Sequence, residues 1–524
     1  MSKKTDLEER IEGKELYAYQ KGAINQIFKL FEEAPEDYHL LYQLPTGGGK
    51  TVIFSEIVRQ YLKHHNKKVL VMTHRIELCK QTSSVLSEFG VLNKVIDSKA
   101  KLDDQNEFSC FVAMVETLNN RLNDDKLDIS DIGLVIIDEA HELVDRTTNA
   151  LAGSLEVGGM GRATGMARKF IQPSTHDRMM EVADDLGLAL ESYDREGTTT
   201  RIEGFEGQLL KALTAVRDVY KVAQAEMTTS SQDEADVAAQ KQRAKAAVKD
   251  VFDVAAELLT ADEHSVTWID VSRTAVLHHA PLSVAGFLGE ALFGQHTIVL
   301  TSATLAVAGS MDSTAKAVGL GDSKWKGLDV GSPFDYSKQG ILYCPSNLPA
   351  PSSSGVAEEA LDELGDLIDA AGGRTLSLFS SWRGVERAEE YLTVRFKGRS
   401  DRPLIVARKG DSVSDLVRRF KETPESSLLG TVSLWQGIDV PGNTCTLVTI
   451  DRIPFPRPDD PVMAARSARV DESGGIGRTI GDAPEIDGLV RVLPPGKPSK
   501  RYRAGEIIKV TVISSQGHDL IAET

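Results

Sequence analysis

The chain has 524 residues, of which 41% are hydrophobic and 26% are charged, a balance typical of soluble globular proteins. Its length is enough for roughly three or more domains of ordinary size. The formal net charge of −17 excludes binding to polyanions over the whole surface, so nucleic acid would need a local basic groove. No apolar run reaches about eighteen residues, which predicts no membrane-spanning segment.

The cysteine pattern and the start of the chain predict a cytoplasmic protein. The first residues are charged, and no apolar segment of the secretory type follows them. The cysteines are scattered singly along the sequence, as Cys79, Cys110, Cys344 and Cys445. This spacing predicts neither a disulfide framework nor a clustered metal site, and it fits a reducing compartment.

Strands and helices alternate through residues 1–145. The apolar patterns predict helices over 23–31, 51–63 and 76–89, and strands over 40–42, 69–72, 110–115 and 135–137. Such alternation predicts a parallel, doubly wound sheet. A ligand is then expected at the carboxyl ends of the strands.

A glycine-rich turn follows the first of these strands, with the sequence Thr46-Gly47-Gly48-Gly49-Lys50-Thr51. A turn of this kind at the start of a helix presents backbone N–H groups to phosphate oxygens. We expect Lys50 to reach the β- and γ-phosphates and Thr51 to bind Mg²⁺. The general phosphate-loop pattern has glycine where this chain has Leu44, and a simple tight loop is the alternative interpretation.

An acidic pair, Asp138-Glu139, follows the buried strand at 135–137 and leads into Ala140-His141. We expect Asp138 to hold Mg²⁺ through its water shell and Glu139 to orient the attacking water. A polar cap after a strand is the alternative for this pair alone. Taken in order with the glycine-rich turn, the pair predicts a site that binds and splits a nucleoside triphosphate.

Residues 146–295 have a different pattern, which predicts a helical insertion in the first domain. The glycine-rich stretch 158–165 predicts a flexible segment, and residues 206–263 predict helices that pack on one face. An exposed charged helix without a specific role is the alternative. The first domain resumes at 296–335 with a strand at 297–300.

A second α/β domain is predicted over 336–470. Its strands are expected at 375–379, 403–407, near Leu428 and at 445–450, and its helices at 385–396 and 413–421. The tail, 476–524, contains alternating runs between Gly/Pro turns, which predict a small β-barrel. Its basic cluster is a candidate nucleic-acid footprint, and a solvated strand edge is the alternative.

Several segments of the chain, in this order, resemble the superfamily 2 helicases of the DEAH-box group, and most closely the DinG/XPD type. The resemblance is carried by the two nucleotide motifs, Leu300-Thr301-Ser302-Ala303-Thr304-Leu305, Trp435-Gln436-Gly437-Ile438-Asp439 and Ile453-Pro454-Phe455-Pro456-Arg457-Pro458. It implies an α/β fold with two RecA-like parallel-sheet domains. It also implies ATP- and Mg²⁺-dependent translocation on single-stranded or forked DNA, with DNA repair as an expected setting and no membrane partner. The sequence fixes no oligomeric state.

The resemblance also implies roles for individual residues. It assigns catalysis to Lys50, Asp138 and Glu139, and metal binding to Thr51 and Asp138. It assigns adenine recognition to Gln20. The other residues that it assigns to ATP binding are Thr46, Gly47, Gly48, Gly49, Lys50, Thr51 and Asp439. It assigns nucleic-acid binding, or the coupling of nucleotide state to the strand, to Thr73, Arg75, Ser302, Thr304, Ser380, Thr431 and Gln436. Helix capping is the alternative role for Thr73 and for the Ser380-Ser381 pair.

The chain departs from this family pattern in two ways. The four cysteines that often hold an iron–sulfur cluster are absent between 145 and 295, so no cluster is predicted. The Gln-x-x-Gly-Arg-x-x-Arg segment, which supplies arginine fingers, is also absent, and the first arginines after Pro461 are Arg466, Arg469 and Arg478. Since such a finger is worth about 10³–10⁵ in rate, a nucleotide-gated binding protein with little turnover is an alternative function.

The tail resembles the TRAM end of methylthiotransferases of the RimO type, an RNA-binding barrel. The resemblance is carried by residues 477–488 and 517–521. It leaves an RNA helicase as a second alternative. The cysteine triplet of that enzyme family is absent, so methylthiolation is not predicted, and the join at 471–475 is compatible with a composite gene.

Overall fold

The computed structural model describes residues 16–33, 38–97, 105–114, 117, 130–192, 199–228, 235–271, 274–294, 296–307, 309–321, 324–349, 355–435, 438, 440, 442–452, 460–470, 475–477, 490–492, 510–516 and 519–523. These residues fall into two compact units. The first is drawn from within Met1–Ile24, Thr51–Ile132 and Ser332–Pro456. The second is drawn from within Asn25–Lys50, Gly133–Gly331 and Arg457–Thr524.

The strands are, in chain order, β1 His39–Gln43, β2 Lys68–Thr73, β3 Asn93–Ile96, β4 Cys110–Met114, β5 Ile132–Asp138, β6 Gly153–Leu155, β7 Thr200–Ile202, β8 Ser265–Asp270, β9 Val276–Pro281, β10 Thr297–Ser302, β11 Trp325–Asp329, β12 Thr375–Phe379, β13 Leu404–Val406, β14 Ser427–Thr431, β15 Leu447–Ile450, β16 Gly475–Gly477, β17 Val490–Val492, β18 Thr511–Gln516 and β19 Asp519–Glu523.

The α-helices are, in chain order, α1 Ala18–Glu33, α2 Lys50–His64, α3 Ile76–Glu88, α4 Leu143–Leu151, α5 Val157–Ala167, α6 Pro173–Glu191, α7 Gly207–Glu226, α8 Ala235–Leu259, α9 Ala285–Leu288, α10 Asp312–Ala317, α11 Tyr336–Gln339, α12 Glu358–Ala371, α13 Trp382–Arg395, α14 Val413–Glu422 and α15 Pro461–Val470.

The nucleotide motifs belong to a seven-stranded sheet with the order β11-β1-β10-β5-β2-β4-β3. The pairs β1/β10, β1/β11, β10/β5, β2/β4 and β3/β4 are all parallel. Its central strands are continuous apolar runs because helices cover both faces of such a sheet. Leu41, Ile136 and Leu300, for example, are each 0% exposed. The predicted parallel α/β architecture is therefore confirmed.

A second, four-stranded sheet has the order β13-β14-β12-β15, and its described pairs are parallel. Every residue of β12 and β14 is buried, whereas the edge strand β15 alternates between half-buried and exposed positions. Leu361 of α12 and Val385 of α13 pack with Phe379 in one apolar cluster on this sheet. The predicted second α/β fold is confirmed, and α13 begins at Trp382, slightly before the predicted start at 385.

The region between β5 and β10 contains the predicted helices and a further sheet that the pattern did not predict. Helices α5 to α8 share one apolar core. Strands β6 to β9 form an antiparallel sheet with the order β6-β9-β8-β7. Ile269 and Leu277 face the helical core, and Val266 and Ala280 pack on the other face with Ala465 of α15. A purely helical insertion was thus an incomplete prediction, because β6 and β7, with three residues each, are too short to give a clear alternating signal.

The glycine-rich stretch 158–165 was wrongly predicted to be flexible, since it lies inside helix α5. Met160, Ala163 and Thr164 are buried in the core of the neighbouring helices. The Tyr220 hydroxyl donates to the Met160 carbonyl at 3.1 Å and lies 3.1 Å from the Thr164 hydroxyl. This packing outweighs the low helix propensity of glycine, which costs about 1 kcal/mol per residue.

The described strands of the tail form a fourth sheet with the order β16-β17-β19-β18. Strands β18 and β19 make an antiparallel hairpin with a register shift between Val512 and Ser514. Closure into a barrel stays a prediction, and most of the tail's basic cluster (Lys497, Lys500, Arg501, Arg503 and Lys509) lies outside the described residues. Among the residues that are described, no helix combines the length and the apolar character needed to cross a membrane.

Candidate functional site

The turn between β1 and α2 needs its glycines for two different reasons. Gly47 and Gly49 have φ angles of 80° and 84°, a region of backbone conformation that side chains disfavour. A Cβ on Gly48 would lie 2.8 Å from the side chain of Leu44, which is fully buried beneath the turn. Leu44, the departure from the general pattern, therefore fills the space under the turn, and the turn keeps the backbone form of a phosphate loop.

Helix α2 begins at Lys50, directly after this turn, and Thr51 is its second residue. The Lys50 side chain is only 8% exposed, and its Nζ lies 2.6 Å from Glu139 Oε1. Thr46 is exposed at the mouth of the turn. The lysine and the second acidic residue, which are far apart in sequence, are thus brought into direct contact as an ion pair.

The acidic pair lies at the carboxyl end of β5. Asp138 is 6% exposed and accepts a hydrogen bond of 3.0 Å from the backbone N–H of Glu139. Burial, and then the nearby charge of Glu139, raise the pKa of Asp138 from 3.8 to about 7, although Lys50 opposes this shift. Glu139 itself has a φ of 54°, an uncommon conformation for a non-glycine residue that costs on the order of 1 kcal/mol and clusters at functional sites.

His141 connects this pair to strand β10. Its Nδ1 lies 2.8 Å from the Ser302 hydroxyl and 3.4 Å from Glu139 Oε2. Ser302 Oγ also accepts a hydrogen bond of 3.3 Å from the backbone N–H of Thr304. The parallel register of β10 and β5 places Thr301 beside Asp138, and this register is what brings Ser302 to the site.

Gln43, the last residue of β1, was not singled out by the sequence. Its Oε1 accepts hydrogen bonds from the backbone N–H groups of Leu305 and Ala306 at 2.6 and 2.7 Å. Its Nε2 donates to Asp329 Oδ2 at 3.0 Å. Like His141, Gln43 lies next to a motif that the sequence did identify. The signal that could have found it is its position as a polar residue at the end of an apolar strand.

Gln20 lies in the first turn of α1, where it is 4% exposed. Its Oε1 accepts a hydrogen bond of 3.0 Å from the backbone N–H of Tyr17, which is half of a helix capping box. The exposed ring of Tyr17 stacks on that of Tyr19 with centroids 5.9 Å apart. Adenine recognition by Gln20 stays a prediction, and the contact seen here gives the residue a structural role.

Thr73 and Arg75 follow β2. The Thr73 hydroxyl is buried, donates to the Arg75 carbonyl at 3.1 Å and lies 3.3 Å from Cys79 Sγ. Arg75 is the residue that precedes α3, so Thr73 does not cap this helix. The Arg75 guanidinium donates to the backbone carbonyl of Ser433 at 3.4 Å, within the same compact unit.

The predicted residues of the second sheet bind their near neighbours. The Ser380 hydroxyl and backbone N–H both donate to the carboxylate of Asp451, at 3.0 and 2.9 Å. Ser381 caps α13, because its hydroxyl accepts a hydrogen bond from Gly384 N at 3.1 Å. The capping alternative therefore applies to Ser381 rather than to Ser380.

Thr431 is buried at the end of β14, and its hydroxyl lies 2.6 Å from that of Ser433. The other two predicted residues of this region, Gln436 and Asp439, lie outside the described residues. Their roles stay predictions.

Arg466, a remaining arginine after Pro461, is held on α15 by contacts with the other elements of its unit. Its guanidinium donates to the Leu282 carbonyl at 2.9 Å, to Asp145 Oδ1 at 3.1 Å and to the Thr148 hydroxyl at 2.7 Å. Thr148 is buried in α4, the helix that follows the acidic pair. These contacts assign Arg466 to packing of α15. The Arg469 side chain and Arg478 lie outside the described residues.

Comparison with known families identifies three segments of the chain. Residues 13–157 match the res subunit of type III restriction enzymes, and residues 364–485 match the helicase C-terminal domain. Residues 462–524 match the TRAM domain. The first two matches contain the phosphate loop with the acidic pair and the second parallel sheet, respectively.

The sequence is 40% identical to the ATP-dependent helicase DinG of Mycobacterium tuberculosis over 357 residues, which are 66% of this chain and 52% of that protein. It is 32% identical to the ATP-dependent DNA helicase YoaA of Escherichia coli over 240 residues, 42% of this chain and 36% of YoaA. A further 56 residues, 11% of the chain and 12% of the relative, are 93% identical to the ribosomal protein uS12 methylthiotransferase RimO of Polynucleobacter asymbioticus. The chain spans about half the length of the DinG relatives that it matches.

Two solved structures share the fold. One, described as an XPD helicase, has a TM-score of 0.52 at 14% identity and covers 87% of this chain and 88% of its own. The other, S. tokodaii Xpd4, has a TM-score of 0.54 at 14% identity and covers 87% of each chain. The predicted resemblance is confirmed: this chain is similar in sequence to the DinG-type ATP-dependent helicases, has the fold of the XPD helicases and carries a TRAM segment at its end.

Proposed function

We propose that this chain is an ATP-dependent DNA helicase that couples ATP hydrolysis to translocation and strand unwinding. The observation that carries the proposal is the contact of Lys50 with Glu139 at the mouth of a glycine-dependent turn. The similarity to DinG and YoaA supports the same activity. The proposed domains are 1–145 with 296–335, the insertion 146–295, the second helicase domain 336–470 and a TRAM-like barrel over 476–524.

The ion pair of Lys50 and Glu139 suggests how the site responds to its substrate. Both groups are largely buried, so each needs a partner of opposite charge when no nucleotide is present. A γ-phosphate competes with Glu139 for the lysine ammonium group. Once displaced, the Glu139 carboxylate is available to accept a proton from the attacking water and to orient that water.

The residues around Asp138 fit a magnesium ion. A buried carboxylate whose pKa is raised by exclusion of water and by a second carboxylate gains most from a nearby cation. Oxygen donors such as the Asp138 carboxylate and the Thr51 hydroxyl are the ligands that Mg²⁺ prefers. When bound, Mg²⁺ neutralises charge that develops on the phosphates. Asp138 and Thr51 remain the proposed ligands, and no iron–sulfur cluster is proposed.

Movement along the strand is proposed to follow from alternating closure and opening of the two helicase domains around ATP. The proposed track uses Thr73, Arg75, Ser380, Thr431 and Gln436, with Ser302 and Thr304 in coupling. Contacts of this type address the backbone, so they favour single-stranded or forked DNA without regard to sequence. We place the activity in the cytoplasm and in DNA repair.

Two specific observations favour other functions. The hydrogen bonds that occupy Arg466, together with the missing Gln-x-x-Gly-Arg-x-x-Arg segment, favour a nucleotide-gated binding protein with little turnover. The TRAM match over 462–524 favours RNA rather than DNA as the partner. In both alternatives the phosphate loop keeps its role in nucleotide binding.

Phosphate release by the purified full chain tests these functions together. The assay compares ATP and Mg²⁺ alone with the same mixture plus single-stranded DNA or single-stranded RNA of equal length. Stimulation by DNA supports the proposal, and stimulation by RNA alone replaces it with the RNA helicase. Tight ATP binding without turnover supports the gated binding protein. Absence of ATP binding would defeat all three functions.

A further inference from the structure

Gln43 uses both ends of its side-chain amide at once. The oxygen accepts hydrogen bonds from two consecutive backbone N–H groups, Leu305 and Ala306, at 2.6 and 2.7 Å. The nitrogen donates to Asp329 at 3.0 Å on the neighbouring strand β11. The planar amide offers an acceptor at one end and a donor at the other, so glutamine suits this position chemically.

These contacts fix the turn that follows β10. The turn begins at Ser302, whose carbonyl accepts a hydrogen bond from Leu44 N at 3.1 Å, and it ends at the two N–H groups that Gln43 binds. The Thr314 hydroxyl donates to the Leu305 carbonyl at 2.6 Å, which holds the other side of the same peptide. The turn is therefore attached to the base of the phosphate loop by its first and its last peptides.

The contacts also close a ring of polar groups. Lys50 binds Glu139, His141 lies between Glu139 and Ser302, and Ser302 Oγ accepts from Thr304 N. Gln43 then returns the ring to β1, the strand that leads into the phosphate loop. The turn is thus connected to the Lys50 ion pair through His141, and to the strand that precedes the phosphate loop through Gln43.

We propose that Gln43 is a positioning residue that holds the turn from Ser302 to Ala306 in register with the phosphate loop, so that occupancy of the loop by nucleotide changes the affinity for single-stranded nucleic acid. This inference rests on the proposed function. Gln43 acts through the turn, and it is given no contact with ATP or with the strand. Its loss should weaken communication between the two ligands more than it weakens binding of either one.

The test is a set of four variants of the full chain. Gln43→Met keeps the shape of the side chain and removes all of its hydrogen bonds. Gln43→Glu keeps the acceptor for Leu305 and Ala306 but sets a carboxylate against Asp329. Asp329→Asn alone is the control. The double variant Gln43→Glu with Asp329→Asn exchanges donor and acceptor, and the new Asn oxygen still accepts from Gly331 N, which now bonds Asp329 at 2.9 Å.

The measurement is the dissociation constant for an oligodeoxythymidine, with and without a non-hydrolysable ATP analogue and Mg²⁺. For the unchanged chain we expect the analogue to alter this constant by about 5–150-fold, the usual range of coupling between sites. Gln43→Met should reduce that factor to less than about twofold, while the affinity for each ligand alone changes less than the coupling does. The double variant should recover most of the coupling that Gln43→Glu loses.

The outcomes separate this inference from the proposed function. Undiminished coupling in Gln43→Met, or a double variant no better than Gln43→Glu, overturns the role of Gln43 alone. A parallel loss of both affinities and of thermal stability in Gln43→Met shows a purely structural residue and also overturns it. Failure of the unchanged chain to bind the analogue overturns the proposed function and this inference together.

Discussion

The carboxyl ends of the two parallel sheets carry polar groups that are used in different ways. At the first sheet, Lys50, Glu139, His141 and Ser302 come from three separate elements and contact one another. At the second sheet, the Ser380 hydroxyl binds Asp451 of the adjacent strand end. Among the residues that the structure describes, the larger connected set of charged and polar side chains lies at the first sheet.

Nucleotide binding and nucleotide turnover require different groups, and the structure treats the two sets differently. The first sheet holds a buried lysine, a buried carboxylate and a glycine-dependent turn, which are the requirements for binding a triphosphate. An arginine that reaches the γ-phosphate is a requirement for fast turnover, and Arg466 is committed to α4 and to the Leu282 carbonyl. We therefore expect variants at the end of the first sheet to affect nucleotide binding, turnover or both, and variants around Arg466 to affect mainly stability.

The largest expected effect belongs to Lys50→Ala. The substitution removes the group expected to bind the phosphates and leaves Glu139 buried without its ion-pair partner. ATP hydrolysis should fall by roughly 10²–10³-fold or more, since this is the usual effect of removing one charge-stabilising group from an active site. Phosphate release measures it, and Lys63→Ala, on the exposed end of the same helix, is the control. Hydrolysis that survives Lys50→Ala would remove the basis for the assigned site.

Glu139→Gln should separate binding from turnover. The amide keeps an oxygen that can accept from Lys50, but it cannot take a proton from water. We expect the rate of hydrolysis to fall by about 10²–10⁴-fold, while ATP affinity is kept or increased because a neutral group competes less for the lysine. Titration with a fluorescent ATP analogue gives the affinity, and single-turnover hydrolysis gives the rate. If ATP affinity and the rate of hydrolysis fell by the same factor, Glu139 would act in ATP binding and not as the base.

Arg466→Ala tests whether this arginine contributes to turnover or only to stability. Loss of the hydrogen bonds to Leu282, Asp145 and Thr148 should lower the free energy of unfolding by about 1–3 kcal/mol. The catalytic rate at low temperature should change by less than about threefold, whereas loss of an arginine finger costs about 10³–10⁵. Thermal unfolding and hydrolysis are measured on the same preparation, with Arg466→Lys as the control. A rate loss of the larger size without destabilisation would identify Arg466 as the finger.

Asp138→Asn should stabilise the folded chain at high pH, whereas Arg466→Ala should destabilise it. The pKa of Asp138 is raised from 3.8 to about 7, so the folded state holds this proton more tightly than the unfolded state does. The group therefore reduces stability as the pH rises from about 4 to about 7. At pH 8.5 the variant should be more stable than the unchanged chain by at least about 1 kcal/mol, since one pKa unit corresponds to about 1.4 kcal/mol.

The difference between the Asp138→Asn variant and the unchanged chain should shrink at pH 5.5, where the carboxyl group is largely protonated. Thermal unfolding without nucleotide or Mg²⁺ measures it at both pH values, and Asp131→Asn, on the exposed start of the same segment, is the control. A difference that is the same at both pH values would contradict the raised pKa. Hydrolysis should be lost in this variant at either pH.

The sequence predicted the parts of the fold whose patterns are local and repeated. Strands of continuous apolar residues such as Leu40-Leu41-Tyr42 have few alternatives in an alternating α/β chain, and the parallel arrangement of both sheets was predicted correctly. The edge strands β3 and β11 of the seven-stranded sheet were not predicted. The antiparallel sheet from β6 to β9 was missed because β6 and β7 span only three residues each. Helix α5 was missed because its glycines oppose helix formation, and burial of Met160 and Ala163 reverses that preference.

The sequence by itself predicted where the nucleotide site lies and which residue types form it. Two local motifs indicate this site: three glycines before Lys50, and an acidic pair after a buried strand. Each motif lies within one turn of the chain, so it can be recognised without knowing distant contacts. Only the tertiary structure decided which further side chains join this site. Gln43 and His141 reach the Ser302 turn because parallel strands place their carboxyl ends side by side, and Arg466 packs against α4 and the Leu282 carbonyl. Such pairings depend on strand order and on register, and neither is encoded in the spacing of residues along the chain.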